Sequence, residues 1–432
     1  MKLNKKAFFR IHSWIGIKLS VLFFIVCLSG TFATISHEMD WLFNPAIRVS
    51  PQGEPVSRNQ MVANVQAAFP DSDVLYWGVP NEPYLCNIVQ TYDGKQRYYV
   101  FVNPYTGAIQ GSTKLTFQRF FRDLHYYLFV PFQIGHFTVL IFGFMLLFSM
   151  ATALVFYKQW YRKLLDLKTG KGSVVLYRSL HRLVGVWSVP AALLFSITGI
   201  WYFVERTNLG GVSEIANTRA PELAKPIADS ASFGEVRRAI DLDQAVAVAQ
   251  QQIPKLDVKD VLLPIQPDDA LYLTGKSDVS LVRNRANRVY LHPTTYKVLK
   301  VQRAEALPTV TWLNDIADPL HFGYWGGLVT KLIWFVFGLG ISSLVLTGIW
   351  ISQKRKVKGA ARIRAQRMGP WKYVNWIFYG VMLAFMYIIL ITQYHASVPA
   401  ILLITAGWGL FIGGAWYLFV YQMKKIVQKE LA

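Results

Sequence analysis

The chain has 432 residues, 53% of them hydrophobic and only 16% charged, with a formal net charge of +20. Its apolar residues are gathered into runs of the roughly 20 residues that cross about 30 Å of hydrocarbon, which excludes an ordinary soluble globular protein. The Lys and Arg excess sits in short loops between alternate runs, the charge pattern that orients membrane proteins, so nucleic acid is not an expected partner.

Six spans are predicted, near 13–36, 134–157, 183–204, 328–351, 374–394 and 399–421. Lys2, Lys5, Lys6 and Arg10 precede the first, and Lys158, Arg162, Lys163, Lys168, Lys171 and Arg178 follow the second. Lys354, Arg355, Lys356, Lys358, Arg362, Arg364 and Arg367 follow the fourth, and Lys424, Lys425 and Lys429 the sixth. Both termini are therefore expected inside, with the long segments outside, which in a bacterium is the periplasm. The expected map is a first helix in 1–39, a periplasmic domain in 40–131, a second helix in 132–157, a basic loop in 158–180 and a third helix in 181–204. A second periplasmic domain follows in 205–327, then a fourth helix in 328–351, a basic loop in 352–373, two helices in 374–421 and a tail in 422–432.

A cleaved signal peptide would share the basic start and apolar run of residues 1–36, but a copy of this segment recurs in mid-chain. RIHSWIGIKLSVLFFIVCLSG carries His12, Gly16, Ser29 and Gly30, and SLHRLVGVWSVPAALLFSITG carries His181, Gly185, Thr198 and Gly199 at the same spacings. The second and fourth spans also match, with Thr152 and Ala153 on Thr347 and Gly348. Each follows an acid and a histidine, Asp123-Leu124-His125 in one and Asp318-Pro319-Leu320-His321 in the other.

In the outer segments, a helix over 57–69 precedes alternating runs near 73–79, 84–91 and 97–102 and a hairpin around Asn103 to Gly107. The second segment repeats this with a helix over 241–253 and a hairpin around His292 to Tyr296. The predicted fold class is a membrane all-α bundle of about six transmembrane helices, internally repeated, with two small periplasmic α+β domains. Cys27 falls in a span and Cys86 in an outer segment, so no disulfide framework is indicated.

These motifs, from the histidine starts of spans one and three to the V-x-V-N-P-x-T-G type hairpin, make residues 1 to 355 resemble the PepSY-associated transmembrane family. The family includes siderophore-iron reductases of bacterial inner membranes. The resemblance implies PepSY-type periplasmic domains and, as in the reductase members, b-type haem between the helices. The last two spans lie outside it.

Haem iron takes axial imidazoles from facing helices, and repeat symmetry proposes the pairs. His12 with His181 would hold an inner haem and His125 with His321 an outer one, with His37 and His136 in reserve. The competing readings are interfacial anchoring of His12 and His181 beside Arg10, Arg178 and Arg182, and pairing of His125 and His321 with Asp123 and Asp318. His292 stands where the first hairpin has Asn103 and reads as a turn residue, while His395 reads as interfacial.

The four glycines would clear a porphyrin face or pack helices together, with packing favoured. Zinc is not expected without an H-x3-H, HExxH or Cys cluster, and GWGLFIGGAW lies inside a span rather than in a βαβ unit. Without a nicotinamide or flavin motif, electrons would come from a quinol or a separate reductase, to be passed to a ferric siderophore or another periplasmic acceptor. The rival expectation is a non-enzymatic PepSY binding or regulatory protein. Transport ranks last, because the repeats are parallel and the spans show no obvious broken helices.

Overall fold

The structure is a computed structural model that describes residues 4–170, 172–229, 232–357 and 369–422. Lys2, Lys171, Lys358, Arg362, Arg364, Arg367, Lys424, Lys425 and Lys429 of the predicted basic segments lie outside the described residues. The chain starts with α1 (Lys5–Lys18), α2 (Ser20–Thr34), α3 (Ser36–Phe43) and α4 (Arg58–Ala68), then β1 (Asp73–Gly78), β2 (Asn87–Tyr92), β3 (Arg97–Val102) and β4 (Ile109–Thr113). Next come α5 (Phe117–Tyr127), α6 (Phe132–Phe156), α7 (Ser173–Trp187), α8 (Val189–Arg206), α9 (Val212–Ala216), α10 (Phe233–Arg238) and α11 (Leu242–Gln252). The strands β5 (Asp257–Leu262), β6 (Leu271–Lys276), β7 (Asn287–Leu291) and β8 (Val298–Gln302) precede α12 (Thr309–Phe322), α13 (Gly327–Val357), α14 (Trp371–Thr392) and α15 (Val398–Trp416). Two compact units result: a helical unit of Met1–Ile35, Arg119–Phe203 and Leu328–Ala432, and a sheet unit of Ser36–Gln118 and Val204–Gly327.

In the helical unit, α6, α13, α14 and α15 are each long and apolar enough to cross a membrane. The first and third predicted spans are not single helices. They are bent pairs, α1 with α2 at 75° and α7 with α8 at 57°, giving up to six spans if each pair counts as one. The expectation of unbroken spans is thereby overturned. The breaks fall at Leu19 and Ser188, at the same distance after His12 and His181. In the second copy Pro190 has no N–H to return to Val186, which weakens the ladder at the bend.

At the first break the carbonyl of Lys18 accepts the Nδ2 of Asn375, at 2.6 Å, from α14. Asn375 is 1% exposed, so span five covers a polar group that the bend uncovers. Where α6 and α8 cross, Gly143 faces Gly199, and a Cβ on Gly143 would stand 3.3 Å from the Gly199 backbone.

In the sheet unit, the two outer segments form one antiparallel sheet in the order β4-β3-β2-β1-β5-β6-β7-β8, rather than two separate ones. The join is β1 to β5, centred on Trp77 opposite Val261. One face packs against α4 and α11 through Met61, Val65, Trp77, Leu242, Ala249, Val261 and Leu273. The alternation of buried and partly buried residues along β2 is what puts one set of side chains on that face.

The helices start as near images of each other across the join. Asn59 and Asp243 stand 184 residues apart in sequence. Asn59 Oδ1 accepts Leu242 N at 2.7 Å while Asp243 accepts Arg58 N at 3.2 Å, so each copy satisfies an orphan donor at the other's helix start.

The hairpins also correspond. Gly107 closes the first at φ +70°, where glycine carries no Cβ penalty. Tyr296 takes the equivalent place at φ 54°, and its hydroxyl accepts Asp241 N at 2.7 Å. Cys27 and Cys86 are both free.

Candidate functional site

The two bent spans bring their repeated histidines together. The rings of His12 on α1 and His181 on α7 are neighbours in a T-shaped arrangement, with centroids 6.4 Å apart and planes at 83°. Two imidazoles bound end-on to one metal, through bonds of about 2 Å and with about 1 Å more from each nitrogen to its ring centre, stand roughly 6 Å apart. The observed separation has that scale.

Hydrogen bonds decide which ring nitrogen carries the proton. His12 Nδ1 lies 3.0 Å from the carbonyl of Ser149 on α6, and a carbonyl only accepts, so Nδ1 carries the proton. His181 Nδ1 lies 2.8 Å from Thr347 Oγ1 on α13, whose own hydrogen goes to Ser343 O at 2.8 Å, so the same nitrogen donates here. Both imidazoles therefore carry their lone pair on Nε2. This is the state in which histidine binds a metal while its other nitrogen is oriented by a neighbour.

The helix sequence also provides room. Gly16 and Gly185 follow the two histidines by one helical turn on the same faces. A Cβ on Gly16 would meet nothing within 4 Å, and one on Gly185 only Leu344 at 3.9 Å. Gly348 lies close against His181, its ideal Cβ 3.4 Å from Cε1, so a small residue is needed there for the ring to keep its place.

Arg178 lies one turn before His181, and its Nε is buried with no hydrogen-bond partner among the described residues. That orphan donor calls for an acceptor. Two neighbouring Nδ1-protonated imidazoles and the orphaned Arg178 Nε are groups of the kind that would hold an iron porphyrin and its carboxylates.

The remaining histidines differ. His125 Nδ1 donates to Val26 O at 2.9 Å, with Ser29 Oγ at 3.3 Å. Its ring lies against Gly30, whose ideal Cβ would fall 2.7 Å from Cε1. His136 Nδ1 donates to Tyr126 O at 3.0 Å, and its ring stacks on Phe132. His321 belongs to the sheet unit and His125 to the helical unit, so the outer pair rests on residues of both.

His37 is exposed on α3, and His395 is exposed in a turn at φ 41°. His292 Nδ1 accepts the backbone N–H groups of Thr294 and Thr295, as Asn103 Oδ1 does for Tyr105 and Thr106. Its tautomer is thus opposite to that of His12, which suits the turn role expected of it.

Asp123 is held by Arg119 at 2.7 Å and by the hydroxyl of Tyr394, and Asp318 by Arg283 at 2.6 Å. Each of these carboxylates thus has an arginine partner. Ser149 and Asn375 escaped the sequence reading. Ser149 has no counterpart in the repeat, and Asn375 lies beyond it.

No curated protein matches the chain at a significant level. The profile of the PepSY-associated TM region matches residues 9–355, from just before His12 to the end of the second repeat. The chain is a membrane protein and belongs to the PepSY-associated transmembrane family.

Proposed function

We propose that the protein is a b-type haem protein of the bacterial inner membrane that passes electrons to a periplasmic acceptor, a ferric siderophore. The observation that carries this reading is the proximity of His12 and His181 at 6.4 Å, each with its Nδ1 held by a different helix. Held there by His12 and His181, haem would supply a reversible one-electron carrier.

The protein's own contribution is orientation. Ser149 and Thr347 fix the tautomers and ring planes, Gly16 and Gly185 leave space, and Arg178 offers its guanidinium to a propionate. Electrons would enter from a quinol or a separate reductase. Iron held by hard oxygen ligands as Fe(III) is bound less strongly as Fe(II), so one-electron reduction favours its release.

The bent spans invite comparison with transporters, whose broken helices offer bare carbonyls to ions. Here the Lys18 carbonyl at the break is already taken by Asn375. The test is a visible spectrum of the purified protein with and without dithionite. A reducible b-type spectrum supports the proposal, and a colourless protein from haem-replete cells returns the regulatory reading to first place.

A further inference from the structure

The second face of the sheet differs between the two copies. In the first it is closed by an apolar cluster of Ile47, Val49, Leu85, Cys86 and Phe101. In the second it carries charge.

The connection from β6 to β7 spans 277–286, against 93–96 between β2 and β3, and this longer loop brings in Arg283, Asn284 and Arg285. Asp260 accepts from Tyr76 at 2.6 Å, Thr274 at 2.8 Å and Asn284 at 3.0 Å. Arg283 donates to Asp315 and Asp318, both at 2.6 Å, and Arg285 to Asp315 at 3.0 Å and Asn217 at 2.8 Å. A cavity of about 330 Å³ opens among Asn81, Asp260, Arg283, Arg285, Asp318 and Tyr324. That is near the lower end of the about 300 to 1,000 Å³ usual for small-molecule sites.

What the cavity offers is donors. Both lining carboxylates already accept from protein groups, whereas the bonds of Arg285 occupy only Nε and one Nη. Among the described residues no protein acceptor meets the Tyr324 hydroxyl or the Asn81 amide. Burial, and then the like charge of Arg283, hold the Arg285 guanidinium below its ordinary pKa. A further negative charge beside it is therefore favoured, despite Asp315.

A guanidinium edge, a phenol and an amide around a small cavity complement a carboxylate, which accepts two parallel N–H bonds and keeps lone pairs for other donors. We propose that this cavity binds a small carboxylate-bearing ligand through Arg285, Tyr324 and Asn81. The proposal stands apart from the haem reading and requires no electron transfer. The carboxylate could belong to a free polycarboxylic acid or to its metal chelate.

Titration calorimetry of the full chain in detergent separates the sources, with citrate and redox-inert gallium citrate as probes. Saturable binding is expected, weakened at least about tenfold by Arg285→Gln and about threefold by Tyr324→Phe. Binding of citrate at least as tight as that of gallium citrate assigns the free acid, and binding of gallium citrate alone assigns the chelate. Because Arg285 also braces the loop, Asn81→Ala, at an exposed position, and Tyr324→Phe decide the matter if Arg285→Gln fails to fold. The proposal is overturned if neither probe saturates up to about 10 mM, or if the folded variants bind as the wild type does.

Discussion

His12 and His125 have the same tautomer and different neighbourhoods. His12 has a second imidazole as its neighbour, with ring centroids 6.4 Å apart, and, one turn on, a glycine whose Cβ position is open. His125 makes an equally good Nδ1 bond but lies against Gly30, filling the space that glycine leaves. A hydrogen-bonded Nδ1 is thus a condition for ligation and not evidence of it. The neighbouring second ring distinguishes the first region.

The sharpest way to break this comparison is to remove both members of the neighbouring pair. His12→Ala with His181→Ala is expected to abolish haem binding at that site, seen as loss of Soret absorbance while the thermal melt still shows a folded protein. His125→Ala should leave that site loaded.

Filling the two kinds of glycine sharpens the contrast. Gly16→Leu with Gly185→Leu is expected to lower haem occupancy severalfold with little change in melting temperature, because a Cβ on Gly16 meets nothing within 4 Å and one on Gly185 makes only an ordinary contact with Leu344 at 3.9 Å. Gly30→Ala should do the reverse, leaving haem in place and costing on the order of 1 to 3 kcal/mol, since its methyl would overlap the His125 ring. If Gly30→Ala instead bleaches the protein while Gly16→Leu does not, the two regions have been assigned the wrong way round.

A smaller effect is expected at the bend. Asn375→Leu leaves the Lys18 carbonyl without its side-chain donor and should cost about 1 to 3 kcal/mol, read as a lower melting temperature. If the bend orients His12, the same variant also shifts the midpoint potential of the haem, a readout that loss of stability alone would not move.

The smallest effect concerns the sheet unit and serves as a control on both regions. Asp40 caps α5 through Phe117 N at 2.7 Å and Gln118 N at 3.0 Å, and burial raises its pKa to about 6. The folded state then holds a proton that the unfolded chain, with a carboxyl near 3.9, releases. Stability from this group is full below about pH 4 and is lost as pH rises through about 6. Asp40→Asn should remove that slope from the melting temperature, leaving the spectrum unchanged.

The parts of this architecture that repeat were legible in the sequence. Matching spacings aligned His12 with His181, and alternation with turn residues located α4, α11 and the strands that follow them. The edge pairing of β1 with β5 was not legible, because it joins segments far apart and depends on both edges being open at once. The break at Leu19 carries no proline or glycine, so nothing local announces it, whereas Pro190 in the second copy was a readable signal. The glycines show a further limit: Gly30 and Gly199 occupy the same motif position, yet one meets an imidazole and the other a helix backbone. Motif position established that a small residue is required, and only the packed partner showed why.

The most direct test of the haem assignment is a pyridine haemochrome assay, with visible spectra before and after dithionite, on the wild type and on the His12→Ala, His181→Ala protein side by side. A reducible b-type spectrum in the wild type, with one haem equivalent fewer per chain in the variant, is the predicted result. A colourless wild type, or equal haem in both proteins, would contradict the assignment of this pair.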